Sequence, residues 1–362
     1  MKILYVITST DVGGAEESLV SLVKTISPHH TVRVVSLKKY GPLAAELKAL
    51  GASVTSLNMT GVGLGCVAKL KKEIESFKPD IVHAMLFRAI EFARLACAGR
   101  HVKLVTTPHF DLSQKPRWMR WLDCTLKNID AASTAESVST FNYLRDIQHY
   151  PPSKTALIAN SVKKSLFFKD NSIRAQMRQK NGFSEKDVIF LSVARLAPVK
   201  NPVKVLQAFA QIVPGCPHAK LVFVGDGTLR NDLENLIKVN FLEKKVLLAG
   251  EQKNINDWLN MADIFVLFSK EESLPLALLE AQQVGLPCIV SKVGDMPKQV
   301  EHGKNGFICN SQDEMLLSCL FTELYENEKL RKEMGSYSIR KAGDKKDSFK
   351  QYEQLYKRLI NR

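Results

Sequence analysis

Ile3-Leu4-Tyr5-Val6-Ile7, followed at once by Thr8-Ser9-Thr10-Asp11-Val12-Gly13-Gly14-Ala15-Glu16, is the stretch that decides the fold. Five consecutive apolar residues without polar alternation read as a strand buried on both faces. Past the two glycines, Ala15, Leu19, Leu22, Val23 and Ile26 fall on one helical face. A buried strand, a glycine turn and an amphipathic helix form one step of a parallel sheet, in which each strand is reached by a helical crossover. Lys2 ahead of the apolar run imitates the start of a secretory signal, but the run is shorter than a signal core requires.

The same step repeats along the chain. Apolar runs at 32–36, 54–57, 81–83, 104–106, 131–135 and 156–159 predict further strands, and Leu43, Leu47 and Leu50 mark a second helical face. After Lys163 the rhythm restarts, with strands predicted at 188–193, 221–224, 246–248, 264–268 and 287–290. A chain of 362 residues, 45% apolar, has enough material for two cores. The expected organisation is a Rossmann-like domain over 1–161, a second over 162–342, and a C-terminal helix over 343–362 that packs back toward the first. In that helix Phe349, Tyr352, Leu355, Tyr356 and Leu359 make an apolar stripe among lysines.

Composition narrows the function. Seven scattered cysteines lack any Cys-x-x-Cys and read as buried hydrophobes in a reducing compartment. Arg88, Glu91 and Arg94 interrupt the stretch most like a membrane span. The net charge of +14 divides evenly, because residues 1–160 carry 20 Lys/Arg against 13 Asp/Glu and residues 161–362 carry 31 against 24. That balance suits nucleotide diphosphates or acidic lipid surfaces. Neither zinc-finger spacing nor an aromatic RNA-binding signature is present, so no nucleic-acid partner is expected.

Ligands of open parallel sheets bind at the carboxyl ends of strands, and two such domains imply a cleft. The motifs fall in loops after predicted strands. Gly13-Gly14 is either a plain turn or a place where backbone N–H groups approach a phosphate or sugar. The dinucleotide fingerprint Gly-x-Gly-x-x-Gly is absent there, which counts against a nicotinamide or flavin enzyme. Arg195 and Lys200, in Leu191-Ser192-Val193-Ala194-Arg195-Leu196-Ala197-Pro198-Val199-Lys200-Asn201, place a planar fork and a point charge beyond one strand, a pair suited to a diphosphate. Gly225-Asp226-Gly227 reads as a tight turn shaping a wall. In Phe268-Ser269-Lys270-Glu271-Glu272-Ser273-Leu274-Pro275-Leu276-Ala277-Leu278-Leu279-Glu280-Ala281, Ser273 is expected to cap a helix begun by Pro275. Glu272 then stands at its mouth, and Glu280, inside an apolar helix, needs a partner. His109, with Asp111 nearby, follows the 104–106 strand. The run Gly61-x-Gly63-x-Gly65 reads as flexible structure.

In this order, Gly13-Gly14-Ala15-Glu16, the His109 loop, Arg195 with Lys200-Asn201, Gly225-Asp226-Gly227 and Glu272 through Glu280 resemble the retaining glycosyltransferases of family 4 (glycosyl transferases group 1), over nearly the whole chain. The resemblance implies the GT-B fold, an α/β architecture of two Rossmann-like domains. It implies that Arg195 and Lys200 hold the donor diphosphate, that Glu280 binds the ribose and that Glu272 lies near the donor sugar. It makes Arg195, Lys200, Glu272 and His109 the catalytic group, and Gly13, Gly14, Gly225, Asp226, Ser273, Leu274, Pro275 and Leu276 donor contacts. Two departures stand out. Asn160-Ser161-Val162-Lys163 replaces the usual Asn-Gly-Val-Asp, and Gly294-Asp295-Met296-Pro297-Lys298 replaces Gly-Gly-x-Pro-Glu, so that Lys298 bears on donor-sugar preference.

The implied activity is transfer, with retention, from a nucleotide-diphosphate sugar to a saccharide or lipid-linked acceptor. UDP is favoured, and polysaccharide, lipopolysaccharide or glycolipid assembly is the expected setting. With no Asp-x-Asp in the sequence, neither a metal nor another cofactor is expected. Alternatives are a nucleotide-sugar epimerase or phosphorylase on the same architecture, or a non-catalytic nucleotide-sugar-binding partner of another transferase. Acceptor recognition is expected in loops around 59–65 and 87–94. The expected location is cytoplasmic, with peripheral contact at the inner membrane face through Lys115-Pro116-Arg117-Trp118-Met119-Arg120-Trp121-Leu122 as one reading. In the other reading Trp118, Leu122 and Ile129 face the core.

Overall fold

The computed structural model describes residues 1–60, 63, 65–109, 116–343 and 347–361. It consists of two compact units: Met1–Asn160 together with Asp347–Arg362, and Ser161–Lys346. The second division falls at Asp347 rather than at 343. The helix Glu328–Gly343 belongs to the second unit, where Ser338 Oγ donates to the Leu286 carbonyl at 2.9 Å. Asp347 instead caps the helix Ser348–Ile360, accepting from the Phe349 and Lys350 amides.

The first unit is built on β1 (Lys2–Ile7), β2 (Thr31–Ser36), β3 (Ser53–Ser56), β4 (Ile81–Met85), β5 (Lys103–Thr107), β6 (Ala132–Ala135) and β7 (Thr155–Leu157). All seven pair in parallel in the order β3-β2-β1-β4-β5-β6-β7. The second holds β8 (Val188–Val193), β9 (Ala219–Val224), β10 (Val246–Leu248), β11 (Ile264–Leu267), β12 (Cys288–Ser291) and β13 (Gly306–Cys309), also parallel, in the order β10-β9-β8-β11-β12-β13. Every strand but β13 lies at or within a residue or two of an apolar run in the sequence. The edge strand β13 escapes that criterion because Gly-Phe-Ile-Cys is short, glycine-led and preceded by the polar run 301–305.

The opening pentapeptide explains why the sheet has two cores. Side chains alternate faces along a strand. Ile3, Tyr5 and Ile7 accordingly join one core with Leu19, Leu22, Val23 and Ile26, while Leu4 and Val6 join another with Ala89, Ile90 and Ala93. Full burial of each such aliphatic side chain stabilises the fold by about 2 kcal/mol relative to exposure. The helix Ser348–Ile360 completes the first core with Phe349, Tyr352, Leu355, Tyr356 and Leu359. Its polar tips are matched: Tyr356 OH lies 2.6 Å from His83 Nδ1, and His83 Nε2 lies 2.7 Å from Thr107 Oγ1. Burial pushes the His83 imidazole down to about 3, so it stays neutral there.

Residues 87–94, expected to be an acceptor loop, lie in the helix Phe87–Cys97. Arg94 is 1% exposed and grips Glu91 at 2.7 Å, Asp123 at 2.6 Å and Asp130 at 2.8 Å, with Tyr150 OH accepting at 2.6 Å. One guanidinium thus serves three buried carboxylates. Burial is the main reason the Glu91 carboxyl is pushed up to about 7; Arg94 pulls against it, and Asp123 and Asp130 add to it.

The structure corrects the core-facing reading for Trp118 alone: Leu122 packs against Phe87 and Tyr143, and Ile129 against the core of Leu4 and Val6, while Lys115 lies outside the described residues. The helix Arg117–Leu126 turns Asp123 inward to Arg94. At about 100° per residue, Trp118 and Trp121 then turn mostly to solvent, Trp118 keeping an edge-to-face contact with Phe87 at 6.4 Å. They are 62% and 68% exposed, while Leu122 and Ile129 are half-buried.

Replacing Arg94 by Met leaves three buried carboxylates without their cation and should cost about 3–5 kcal/mol of stability. Because Glu91 holds its proton more tightly folded than unfolded, its contribution is complete below the unfolded value of 4.5 and is lost as pH rises through about 7. Glu91→Gln should flatten the fall in denaturation midpoint over that window; an unchanged slope would refute the assignment.

Candidate functional site

In each unit the chain winds outward from its first strand, then returns to the other side of it. The helix after β8, Pro202–Ile212, packs Leu206 and Phe209 with Phe190 on one face of the second sheet. The helix after β11, Leu276–Val284, packs Leu278 and Ala281 with Leu191 and Phe265 on the other. Neighbouring strands β8 and β11 therefore send their connections to opposite faces, and the gap at their carboxyl ends is where ligands of doubly wound sheets bind.

Arg195, Lys200, Glu272 and the start of the helix Leu276–Val284 all occupy the loops after those two strands. Arg195 is exposed, and among the described residues its guanidinium meets no hydrogen-bond or ion-pair partner. Lys200 closes a short 3-10 turn, Pro198–Lys200, and its Nζ lies 2.5 Å from Glu272 Oε1. The same oxygen accepts from Ser269 Oγ at 2.8 Å. Ser269 did not stand out in the sequence, where a serine three residues before a glutamate carries no distinctive pattern.

Backbone contacts hold these loops in register. The Lys270 amide donates to the Val199 carbonyl at 2.8 Å, joining the β11 and β8 loops. On the other flank, the Leu196 amide donates to the Asp226 carbonyl and the Leu229 amide to the Leu196 carbonyl, both at 2.9 Å. Gly225 permits this approach: its φ is +131°, and a Cβ there would stand 2.1 Å from the Ala194 carbonyl oxygen. Asp226 accepts from the Gly227 amide at 2.7 Å and pairs with Arg230 at 3.2 Å. The loop after β12 completes the series, with the Asp295 amide donating to the Ser273 carbonyl at 2.8 Å and Lys298 Nζ 2.9 Å from Asp295.

The helix start differs from expectation. Pro275, with φ −69° and ψ 130°, occupies the N-cap position and Leu276 is the first helical residue, so Ser273 lies ahead of the cap. Proline holds the extended entry, and the first-turn amides have no intrahelical acceptor. Leu274 is buried, while Glu280 is half-buried, one turn beyond Leu276 on the same helical face.

In the first unit the matching reversal lies between β1 and β4. Gly13 caps the helix Gly14–Ile26 with φ −171°, a conformation open to any residue, and a Cβ on Gly14 would meet nothing within 4 Å. A Cβ on Gly13 would stand 2.5 Å from Glu16 Oε2, so a side chain there requires the Glu16 carboxylate to move, whereas Gly14 carries no such constraint. Gly41, unremarked in the sequence, is packed so that a Cβ would sit 2.4 Å from the Thr10 carbonyl oxygen; its pairing with Pro42 just past β2 was the available clue.

His109 follows β5 with φ +59°, and its Nε2 is buried without a hydrogen-bond partner among the described residues. Burial holds its imidazole below the ordinary histidine range, opposed by the Glu136 carboxylate. Gly61 and residues 110–115, Asp111 among them, lie outside the described residues, while Gly65 begins the helix Gly65–Phe77.

Two doubly wound parallel units, with the motif loops at strand carboxyl ends, are the architecture of the GT-B class of nucleotide-sugar enzymes. Residues 12–165 match the family profile described as Glycosyltransferase Family 4, and residues 173–341 match that described as Glycosyl transferases group 1. The chain belongs to this glycosyltransferase family. The N-acetyl-alpha-D-glucosaminyl L-malate synthase of Bacillus anthracis is 29% identical over 303 residues, 81% of this chain and 78% of that one. The UDP-Gal:alpha-D-GlcNAc-diphosphoundecaprenol alpha-1,3-galactosyltransferase of Escherichia coli is 32% identical over 255 residues, 67% of this chain and 65% of that one. The crystal structure of Anabaena HepE in complex with UDP-glucose shares the fold with a TM-score of 0.87 at 23% identity, covering 100% of each chain.

Gly294, with φ +54°, is wedged so that a Cβ would lie 2.1 Å from the Glu272 carbonyl oxygen. Gly294→Ala should therefore lower stability by about 1–3 kcal/mol and displace the Glu272–Ser273 turn. Equilibrium denaturation measures the loss; an unchanged midpoint would show that the turn yields freely.

Proposed function

We propose that this glycosyltransferase moves a hexose from a UDP-sugar to a saccharide or lipid-linked acceptor in polysaccharide or glycolipid assembly, with retention of anomeric configuration and without a metal. Arg195 and Lys200 carry the reading. They are two cations at the carboxyl end of β8, beside the first turn of the helix Leu276–Val284. A planar guanidinium, an ammonium and unpaired helix amides together match a departing diphosphate, whose negative charge grows as the glycosidic bond breaks. Cations brought to that position are the largest catalytic contribution available here.

Glu280 takes the ribose hydroxyls, Glu272 the donor sugar hydroxyls, and the glycines 225 and 227 keep the diphosphate side of the loop close-packed. On the first unit, the backbone at Gly13 and Gly14 admits a phosphate or sugar, and His109 Nε2 offers a polar group to the substrate. The acceptor's proton passes to a donor phosphate oxygen on the face from which the acceptor attacks, so no enzymic nucleophile is used. The sequence has no Asp-x-Asp, and Arg195 with Lys200 supplies the countercharge a metal would otherwise bring. Uridine is named because the Escherichia coli relative and the HepE complex both concern UDP-sugars.

A further reading concerns the helix Arg117–Leu126. Its exposed Trp118 and Trp121, next to exposed Arg117, fit the interface of an anionic bilayer, where indole rings sit at headgroup depth and arginine meets lipid phosphate. Among the described residues no helix is long and apolar enough to cross a membrane.

Arg195→Ala should abolish sugar transfer while leaving the melting temperature unchanged, because the side chain is exposed and meets no partner among the described residues. Retained turnover would sink its role. Product anomer analysis by NMR tests retention, and turnover undiminished by a chelator tests metal independence. Sedimentation with phosphatidylglycerol vesicles should carry the protein down in a salt-sensitive way, and Trp118→Ser with Trp121→Ser should release it; equal sedimentation of the double variant would refute membrane contact.

A further inference from the structure

Lys200 does not stand at the site as an unclaimed cation. Its Nζ is 2.5 Å from Glu272 Oε1, and the side chains are only 21% and 9% exposed, so the pair is largely withdrawn from water. Glu272 is the fixed member. Its Oε1 also accepts from Ser269 Oγ, Ser269 is wholly buried, and the Ser269 carbonyl accepts from Ser291 Oγ at 2.6 Å. Lys200 is the mobile member, an ammonium on a flexible four-carbon stem. Arg195, at the end of the same strand, has no such competitor among the described residues.

We propose that Glu272 makes the site discriminate the intact donor from the spent nucleoside diphosphate by competing for Lys200. The inference rests on the reading that Arg195 and Lys200 receive the diphosphate. A diphosphate draws Lys200 away and leaves the Glu272 carboxylate with Ser269 alone, in a place where water is scarce. An uncompensated, largely buried carboxylate is costly. A donor sugar relieves that cost by donating its hydroxyls to Glu272; a nucleoside diphosphate without the sugar has nothing to donate. When the sugar has left with the acceptor, Glu272 recaptures Lys200 and the product loses one of its two cations. The pair thus favours binding of substrate and release of product with one exchange of partners.

The test is calorimetric titration of the full chain with UDP and with UDP-glucose, comparing wild type with Glu272→Gln, which keeps the shape and the Ser269 contact but removes the charge. The variant should bind UDP about fivefold more tightly, the scale expected of a partly exposed ion pair. Its affinity for UDP-glucose should not rise, so discrimination between the two collapses. Glu272→Asp, which keeps the carboxylate, should restore part of it. A Glu272→Gln protein of normal melting temperature that binds UDP no more tightly than wild type overturns the proposal. Wild-type UDP binding unmoved by both Arg195→Ala and Lys200→Ala, or absent altogether, overturns instead the reading on which it rests.

Discussion

A parallel strand can reach its neighbour only by a crossover, and the crossover must be right-handed. From that constraint most of this structure follows. Covering both faces of a sheet requires the chain to reverse its winding once, as each unit does beside its first strand. At the reversal, two adjacent strands hand their connections to opposite faces, and the space above their carboxyl ends is left without a crossover. The second unit furnishes that space with two cations, a glutamate and a helix start, then locks the loops together through backbone hydrogen bonds. The chemistry is placed by topology before any side chain is chosen.

Most of the architecture was legible because buried parallel strands write themselves as apolar runs. Twelve of the thirteen strands announced themselves this way; Gly306–Cys309, at the sheet's edge and led by glycine, did not. The ordered motifs also landed in strand-end loops, since a short loop after a buried strand has few other places to go. The sequence misled where a local pattern had a tertiary competitor. Ser273 has the chemistry of a cap, but Pro275, two residues on, takes the position by its backbone alone. Arg94 sits in a stretch read as an acceptor loop, yet its guanidinium pairs with Glu91 one turn back on its own helix and with Asp123 and Asp130 from elsewhere in the first unit. The Glu91 pair has local i,i+3 spacing, but nothing in local sequence joins Arg94 to Asp123 and Asp130.

That buried network also shows how a costly interior interaction can determine an exterior. Asp123 is drawn inward to Arg94, which fixes the rotation of its helix and turns two tryptophans outward. Met119 and Leu122 share the inward side and pack against Phe87 and Tyr143. Glycine shows a parallel subtlety. At 225 and 294 it is demanded by neighbouring carbonyls; at 13 a Cβ would meet only the Glu16 carboxylate, and at 14 nothing within 4 Å.

The helix Ser348–Ile360 returns to the first unit after the second has been traversed, so residues 161–346 are in effect an insertion within the first unit's chain. During synthesis on the ribosome, the second unit has all its strands before the first receives Phe349, Tyr352, Leu355, Tyr356 and Leu359, the side chains that finish its core. Domains otherwise tend to mature in the order they emerge. Here the order is inverted: the part begun first is sealed last, and His83 waits for Tyr356 across the translation of the whole intervening domain.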